Sequence, residues 1–393
     1  MIYLLNKEQQ QAVEANDRFI FLLAGAGSGK TTVLISRVKR LIESGVNEKD
    51  MLLISFTRKS AQQLKARLGL NNQVTATTFH GLCYQLLRTI REVSLVTEDE
   101  LIKASFSKEE IMKIGLNKQF NKNRNNELNK RYDTYLQEKG LMDFIDLEQQ
   151  TLNAFKEKRF CEVKNYHYIF IDEFQDTSLV QFELLKCLIQ PSSHVFCVGD
   201  PDQSIYAFRG ASKEVIDHYI KTYQATRYTL FNNYRSKAFI IKYANRLIDK
   251  NPKRLKKELH GIKKEQGSLS FKSYENTFEQ MVTEEVGRFY SMGYQPHEVV
   301  VLYRSHHQVA KLINQKSGFR ALNTMSIHQS KGLEFPCVLV VGLEKHQFPL
   351  KDEPVPEERR LFFVAMTRAE EHLVLFFPKQ KKKRSLFYED LLR

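Results

Sequence analysis

Cysteine is sparse and scattered: five residues, Cys83, Cys161, Cys187, Cys197 and Cys337, with no C-x-x-C pair among them. An odd number without paired spacing argues against a disulfide framework or a zinc site and suits a reducing compartment. Long apolar runs are missing too. No stretch approaches the roughly 20 residues of a membrane-crossing helix, and the start MIYLLNKEQQ lacks the basic segment and apolar core of a secretion signal. A cytoplasmic protein with no membrane partner is expected. Acidic residues are outnumbered, 46 Asp plus Glu against 60 Lys plus Arg, for a formal charge of +14. That surplus favours a polyanionic partner, although a merely soluble basic protein has the same balance. No internal repeat is evident.

What is present is α/β texture. The 393 residues suffice for two or three domains. Short apolar, β-rich runs, Phe19–Leu23, Met51–Ile54, Tyr168–Ile171 and Val195–Val198, alternate with helix-like segments and read as buried parallel strands. The pattern returns at Val299–Tyr303, Val338–Val341 and Leu373–Phe377, so two α/β lobes are predicted. Between about Tyr84 and Lys164 the texture changes to charged and Asn/Lys-rich. Apolar residues at helical spacing there predict a helical insertion, with disorder confined to its Asn-rich centre. Two basic stretches, 250–264 and the tail KQKKKR, read as a solvated surface segment and as a frayed end or weak phosphate patch.

The segment LLAGAGSGKTT, Leu22 to Thr32, follows the first apolar run and opens a helix that should end near Ser44, before Gly45. This is the pattern of a phosphate-binding loop. Gly25, Gly27 and Gly29, with Ser28 between them, let backbone N–H groups converge on phosphates; Lys30 reaches the β and γ oxygens, and the Thr31 hydroxyl can hold Mg²⁺. Ala24 stands where the strict pattern has Gly. Such a loop specifies a bound nucleoside triphosphate, ATP or a relative, and by itself fits a small-molecule kinase as well. YIFIDEFQDTS narrows the reading by placing Asp172 and Glu173 at a strand end. There Asp172 can position the metal and Glu173 can take a proton from attacking water.

Motif by motif, the chain resembles the superfamily 1 DNA helicases of the UvrD/Rep/PcrA family, with matches in order from Leu5 to Ala369. LNKEQQQAV resembles the adenine-reading segment, with Gln9 at its glutamine. ISFTRKSAQQLKARL resembles a DNA contact, with Phe56 to stack, Thr57 to bind phosphate, and Arg58 where Asn is usual. TATTFHGLC brings Thr78, Phe79 and His80 to the next DNA-facing loop. VGDPDQSIYAFRGA is the most specific stretch: the resemblance makes Gln203 a γ-phosphate sensor and turns Tyr206, Phe208 and Arg209 toward DNA. In LFNNYRS it assigns Tyr234 to adenine stacking and Arg235 to the γ-phosphate. SIHQSKGLEFPCVLVVGL supplies His328 on the DNA side, Lys331 and Gly332 in a turn, and Glu334 toward the ribose. EERRLFFVAMTRAE makes Arg368 an arginine finger.

What the resemblance implies is a pair of RecA-like P-loop lobes with parallel sheets and a helical insertion in the first. The expected parts are 1–83 and 165–226 for the first lobe, 84–164 for the insertion and 227–393 for the second lobe. ATP with Mg²⁺, and single-stranded or 3'-tailed duplex DNA, are the implied cofactors and substrate, with 3'-to-5' movement. Departures are informative. Thr32 stands where Arg commonly closes the other face of adenine. Tryptophan is absent from the chain, so Phe208 takes a position often held by Trp, and stacking of about 1–3 kcal/mol per base should persist. The second lobe lacks the family's usual large insertion before IHQSKGLEF, which puts duplex unwinding, though not translocation, in question. Three rivals remain beside a DNA motor. They are a motor subunit within a nuclease or anti-phage complex or beside a repair protein, a small-molecule P-loop enzyme, and a catalytically dead DNA binder.

Overall fold

The computed structural model describes residues 5–69, 73–120, 122, 126–212, 214–264, 267–310, 312 and 322–392. The chain divides into two compact units. The first comprises Met1–Leu23, Thr31–Gly199 and Tyr206–Tyr228; the second comprises Ala24–Lys30, Asp200–Ile205 and Thr229–Arg393.

In the first unit the apolar runs become strands β1 (Phe19–Ala24), β2 (Met51–Ile54), β3 (Thr75–Thr77), β4 (Tyr168–Ile171) and β5 (His194–Gly199). With β6 (Thr226–Leu230) at one edge they form a sheet of order β3-β2-β4-β5-β1-β6. The pairs β1/β5, β5/β4, β4/β2 and β2/β3 all run parallel. Strands such as β1 and β2 are buried along almost their whole length, which is why they read as continuous apolar runs rather than alternating ones. Parallel pairing has one consequence that matters for function. The carboxyl ends of β1 to β5 share one edge, and the loops leaving that edge carry most of the candidate residues.

The expected insertion is helical: Phe79–Leu87, Glu98–Lys103, Lys108–Gln119, Glu127–Lys139 and Phe144–Lys156. Three of these helices start on reciprocal capping boxes, Thr97 with Glu100, Ser107 with Glu110 and Asp143 with Asp146. Gly140, at φ 63°, closes a fourth in the left-handed region. Leu101, Phe106, Ile114, Tyr132 and Leu136 give this segment its own small core. Residues 121 and 123–125, in the Asn-rich centre expected to be disordered, lie outside the described residues.

The second unit holds β7 (Asn232–Lys237) paired in parallel with β8 (His260–Lys263). It also holds β9 (Ser268–Tyr274), β10 (Val299–Tyr303), β11 (Thr324–Ser326), β12 (Phe335–Val340) and β13 (Ala369–Pro378) in the order β11-β10-β12-β13-β9, every pair parallel. Val282, Phe289, Val301, Leu339, Val374 and Phe376 belong to its core. The helix Val355–Met366 is buried from Glu358 onward and delivers Thr367 and Arg368 just before β13. The basic tail is not frayed. Arg384 donates to the carbonyls of Pro378 (2.8 Å) and Lys379 (3.1 Å), and the chain continues into a helix, Phe387–Leu392, that buries Phe387 and Leu391. No helix among the described residues is long and apolar enough to cross a membrane.

Candidate functional site

After β1 the chain turns through Gly25–Gly29 and enters the helix Lys30–Glu43, close to the end expected before Gly45. Gly27 and Gly29, at φ 64° and 84°, occupy the left-handed region that a side chain would strain. Ser28 folds back on the loop, its N and Oγ donating to Gly25 O at 3.3 and 2.8 Å. Lys30, Thr31 and Thr32 begin the helix, so its first N–H groups face the mouth of the loop, the arrangement that binds phosphate. Within the second unit the loop is also anchored from outside. Asn233 Nδ2 donates to Ala26 O at 2.7 Å and Tyr234 N to Gly27 O at 2.8 Å. A Cβ on Gly27 would lie 2.7 Å from both Asn233 Nδ2 and Arg235 Cβ, and one on Gly25 would lie 2.3 Å from Leu259 Cδ2. These glycines therefore admit the β7 and β8 segments as well as a ligand.

In the first unit, β4 ends at Ile171 and the backbone breaks sharply. Asp172 N still pairs with Ile54 O (2.9 Å), whereas Glu173 sits at φ 53°, a conformation that costs a non-glycine residue on the order of 1–2 kcal/mol. Glu173 N donates to Asp172 Oδ1 at 3.0 Å, and Gln175 Nε2 donates to the Glu173 carboxylate. Gln175, which sequence reasoning did not single out, thus holds the candidate base. The Thr31 hydroxyl and the Asp172 carboxylate are oxygen donors of the kind a hard cation takes. Mg²⁺ normally binds through one or two protein ligands plus substrate phosphates and water. No larger cluster of metal-ligating side chains occurs among the described residues, and none is required for that mode.

Several buried side chains hold the loop after β5 within the second unit. Gln203 is buried, and its Nε2 donates to Asp200 Oδ2 at 2.5 Å. Its backbone carbonyl accepts from Lys331 Nζ at 3.1 Å, and Ser204 O accepts from Arg360 Nε at 3.0 Å. Arg368, only 2% exposed, donates to Val364 O (3.1 Å) and Leu333 O (3.0 Å) and brings Nη2 to 3.4 Å from Gln203 Oε1. Gln203, Lys331 and Arg368 are thereby brought together. The basic stretch 250–264 requires a correction: Arg254 and Lys257 are not solvated. Arg254 grips Asp202 through Nε (3.1 Å) and Nη2 (2.8 Å), and Lys257 Nζ lies 2.5 Å from Asp200 Oδ1 and also contacts Asp202. Two buried carboxylates demand two buried cations, and charge composition alone cannot reveal such pairing. Burial opposes the charge on Asp202 and on Lys257, but their partners outweigh it; Asp202 stays below the usual carboxylate pKa and Lys257 above the usual lysine value.

Elsewhere in the second unit Arg235 Nε donates to Glu334 Oε2 at 2.7 Å and Nη1 to Thr367 O at 3.3 Å, joining two more candidates. Tyr234 is 37% exposed, and His328 lies in the turn that follows β11. In the first unit Phe56 and Tyr206 stack at 4.8 Å with 15° between their planes, and Phe208 meets Tyr206 edge-on at 6.0 Å while remaining 46% exposed. The Arg209 side chain lies outside the described residues. Several polar candidates have local duties. Thr57 and Thr78 cap the helices Arg58–Leu68 and Phe79–Leu87 through their hydroxyls. Exposed Arg58 opens the first of these, and Gln9 completes a capping box with Asn6. His80 lies 2.9 Å from buried Glu148 and packs on Phe144 at 4.6 Å.

A phosphate loop leaving one strand of a parallel sheet, with a carboxylate pair at the end of another strand of the same sheet, defines a P-loop nucleotide-binding protein. Comparison with known families specifies it further. The UvrD/REP helicase N-terminal domain matches residues 5–113 and 91–224, and the UvrD-like helicase C-terminal domain matches 314–380. The chain belongs to the UvrD/REP helicases, a family of ATP-hydrolysing DNA helicases. Its relatives include a probable DNA helicase of Mycoplasma pneumoniae, 28% identical over 94% of this chain and 83% of the relative. The putative ATP-dependent DNA helicase YjcD of Bacillus subtilis is 31% identical over 77% of this chain and 46% of its own. The ATP-dependent DNA helicase PcrA of Staphylococcus epidermidis is 31% identical, with 77% and 48% covered. The chain thus spans about half the length of the latter two.

Proposed function

We propose that this chain is a cytoplasmic, ATP-driven motor that translocates on single-stranded DNA in the 3'-to-5' direction. The observation that carries the reading is the convergence within the second unit. The phosphate loop is pinned to β7, and Gln203, Lys331 and Arg368 meet around one short loop. In this role Gly25, Gly27, Ser28, Gly29 and Lys30 bind the triphosphate and Thr31 with Asp172 holds Mg²⁺, which when bound neutralises phosphate charge. Glu173 accepts the proton of the attacking water, Gln203 senses the γ-phosphate, and Arg235 and Arg368 stabilise the charge that develops there. Gln9, Thr32, Tyr234 and Glu334 take the nucleoside. Phe56, Thr57, Arg58, Thr78, His80, Tyr206, Phe208, Arg209 and His328 line the DNA track, where stacking tolerates any base sequence.

The organisation that goes with this role is a first RecA-like lobe (1–83 and 165–226) interrupted by the helical insertion (84–164), and a second lobe (227–393). Translocation is the output the site residues serve directly, and the missing second-lobe insertion puts duplex unwinding in question. β10 and β11 are joined by residues 304–323 alone, too short a connection for a second accessory domain. ATP turnover measured with and without single-stranded DNA, beside displacement of 3'-tailed and 5'-tailed duplexes, tests the reading. DNA-stimulated turnover with preference for the 3' tail is expected; turnover indifferent to DNA would overturn it.

A further inference from the structure

The contacts of the loop after β5 extend beyond the residues that would meet nucleotide, and they form a chain of four side chains inside the second unit. Lys257, with its side chain 1% exposed, sets Nζ 2.5 Å from Asp200 Oδ1. The other oxygen of Asp200 accepts from Gln203 Nε2 at 2.5 Å. Gln203 Oε1 faces Arg368 Nη2 at 3.4 Å. Beside this chain, Asp202 is shared between Lys257 and Arg254, and Arg254 Nη2 also reaches Lys257 O at 3.4 Å.

A carboxamide is nearly symmetric in shape but not in polarity, and its neighbours decide which end faces where. A carboxylate beside Nε2 fixes one orientation, because reversing Gln203 would set oxygen against oxygen at Asp200 and N–H against N–H at Arg368. Asp200 is fully buried, so its ability to play this part depends on a cation equally buried beside it. Lys257 is that cation: its ammonium meets the Asp200 and Asp202 carboxylates, while Leu259, two residues on, is the part of this segment that packs at Gly25.

We propose that Lys257 is a positioning residue for ATP hydrolysis: through Asp200 it fixes the rotation of the Gln203 carboxamide, while Arg254 holds the same loop through Asp202. The inference rests on the reading of Gln203 as the γ-phosphate sensor. It places the effect of Lys257 on the chemical step rather than on ATP binding, which belongs to the phosphate loop.

The test uses the full chain, with ATP turnover measured at saturating oligo(dT) for wild type, Lys257→Met, Lys257→Arg and Gln203→Ala. Arg359→Met serves as a control, because it breaks another buried pair in the same unit, Arg359 with Asp390 at 2.8 Å, and the Arg359 side chain hydrogen-bonds Asp390 and Asn251 rather than residues 200–205. Lys257→Met is expected to lower kcat about 10- to 100-fold, the scale of a misplaced catalytic group, while KM for ATP stays within about threefold. Lys257→Arg should recover most of kcat, and Arg359→Met should lose thermal stability without losing kcat. Should Lys257→Met fail to fold, Lys257→Met/Asp202→Asn keeps the buried charge balanced, with one carboxylate on Asp200 and one cation on Arg254, and should show the same kcat loss. A kcat within about threefold of wild type in either folded variant, or a loss matched by Arg359→Met, overturns the proposal. If Gln203→Ala is slow while Lys257→Met is not, only this inference fails; a wild type that does not turn over ATP removes the sensor reading as well.

Discussion

Replacing Asn233 by alanine should loosen the phosphate loop by an amount that can be worked from its contacts. The side chain is fully buried and makes three hydrogen bonds: Nδ2 to Ala26 O at 2.7 Å, and Oδ1 from Arg235 N at 3.0 Å and Ser236 N at 2.8 Å. Each contributes about 1 kcal/mol net, and a buried partner left unsatisfied costs about 1–3 kcal/mol, so the sum is about 3 kcal/mol if water relieves part of the vacancy. At about 1.4 kcal/mol per decade, local opening becomes about 100-fold more populated. Amide hydrogen exchange on peptides covering 24–30 and 232–237 reads this directly and does not require global two-state unfolding, which a two-unit chain need not show. Asn233→Asp separates the two sides of the residue. It keeps an acceptor for the N–H groups of Arg235 and Ser236 but turns an oxygen toward Ala26 O, so exchange should rise in 25–29 more than in 235–236. Protection in 24–30 within about threefold of wild type for Asn233→Ala would refute the anchoring argument.

Three further outcomes are expected. Lys30→Ala should abolish ATP turnover while single-strand binding, measured by fluorescence anisotropy, persists; retained turnover would remove the phosphate-loop assignment. Phe208→Ala should raise the DNA concentration for half-maximal stimulation about 5- to 150-fold, the equivalent of one stacked base at about 1–3 kcal/mol, with basal turnover unchanged. Equal loss of both would take Phe208 off the DNA track. The Asp202 cluster gives a pH dependence of defined sign. Asp202 is held below its ordinary value of 3.8, so its stabilisation is fully present above that pH and fades as pH falls through the lowered value. Lys257 is held above 10.5, so its contribution is intact below that pH and is lost as pH rises through the raised value. The melting difference between wild type and Asp202→Asn should therefore be flat across neutral pH and shrink at both extremes; a maximum near pH 4 would contradict the ion pairing.

Much of this was legible in residues whose role is written in local pattern. Continuous apolar runs marked β1, β2, β4 and β5 because strands buried on both faces cannot alternate, and glycine spacing marked the phosphate loop because only glycine takes its left-handed turns. β9, with the sequence SLSFKSY, was not legible. It alternates polar and apolar residues like a surface strand, and its place at the sheet edge follows from pairing with β13, a partner about a hundred residues later. Asn233 and Lys257 were missed for a related reason. An asparagine beside another asparagine and a lysine among lysines carry no local signal, and their importance comes from a distant carbonyl and two distant carboxylates.

The loop after β5 shows how a pattern legible in sequence gains its physical meaning from what surrounds it. One of the points where the chain passes between the units falls between Ile205 and Tyr206. Gln203 is held by Lys331 and Asp200 in the second unit, and Tyr206 by its stack on Phe56 in the first. The three chain steps from Gln203 to Tyr206 span at most about 10 Å when fully extended, so the connection is short. Under the proposed motor role, a change in the γ-phosphate that shifts Gln203 would act on the Tyr206 ring through the backbone itself. Coupling then needs no long relay of side chains, and the buried ions that clamp Asp200 and Asp202 give that short lever a fixed end.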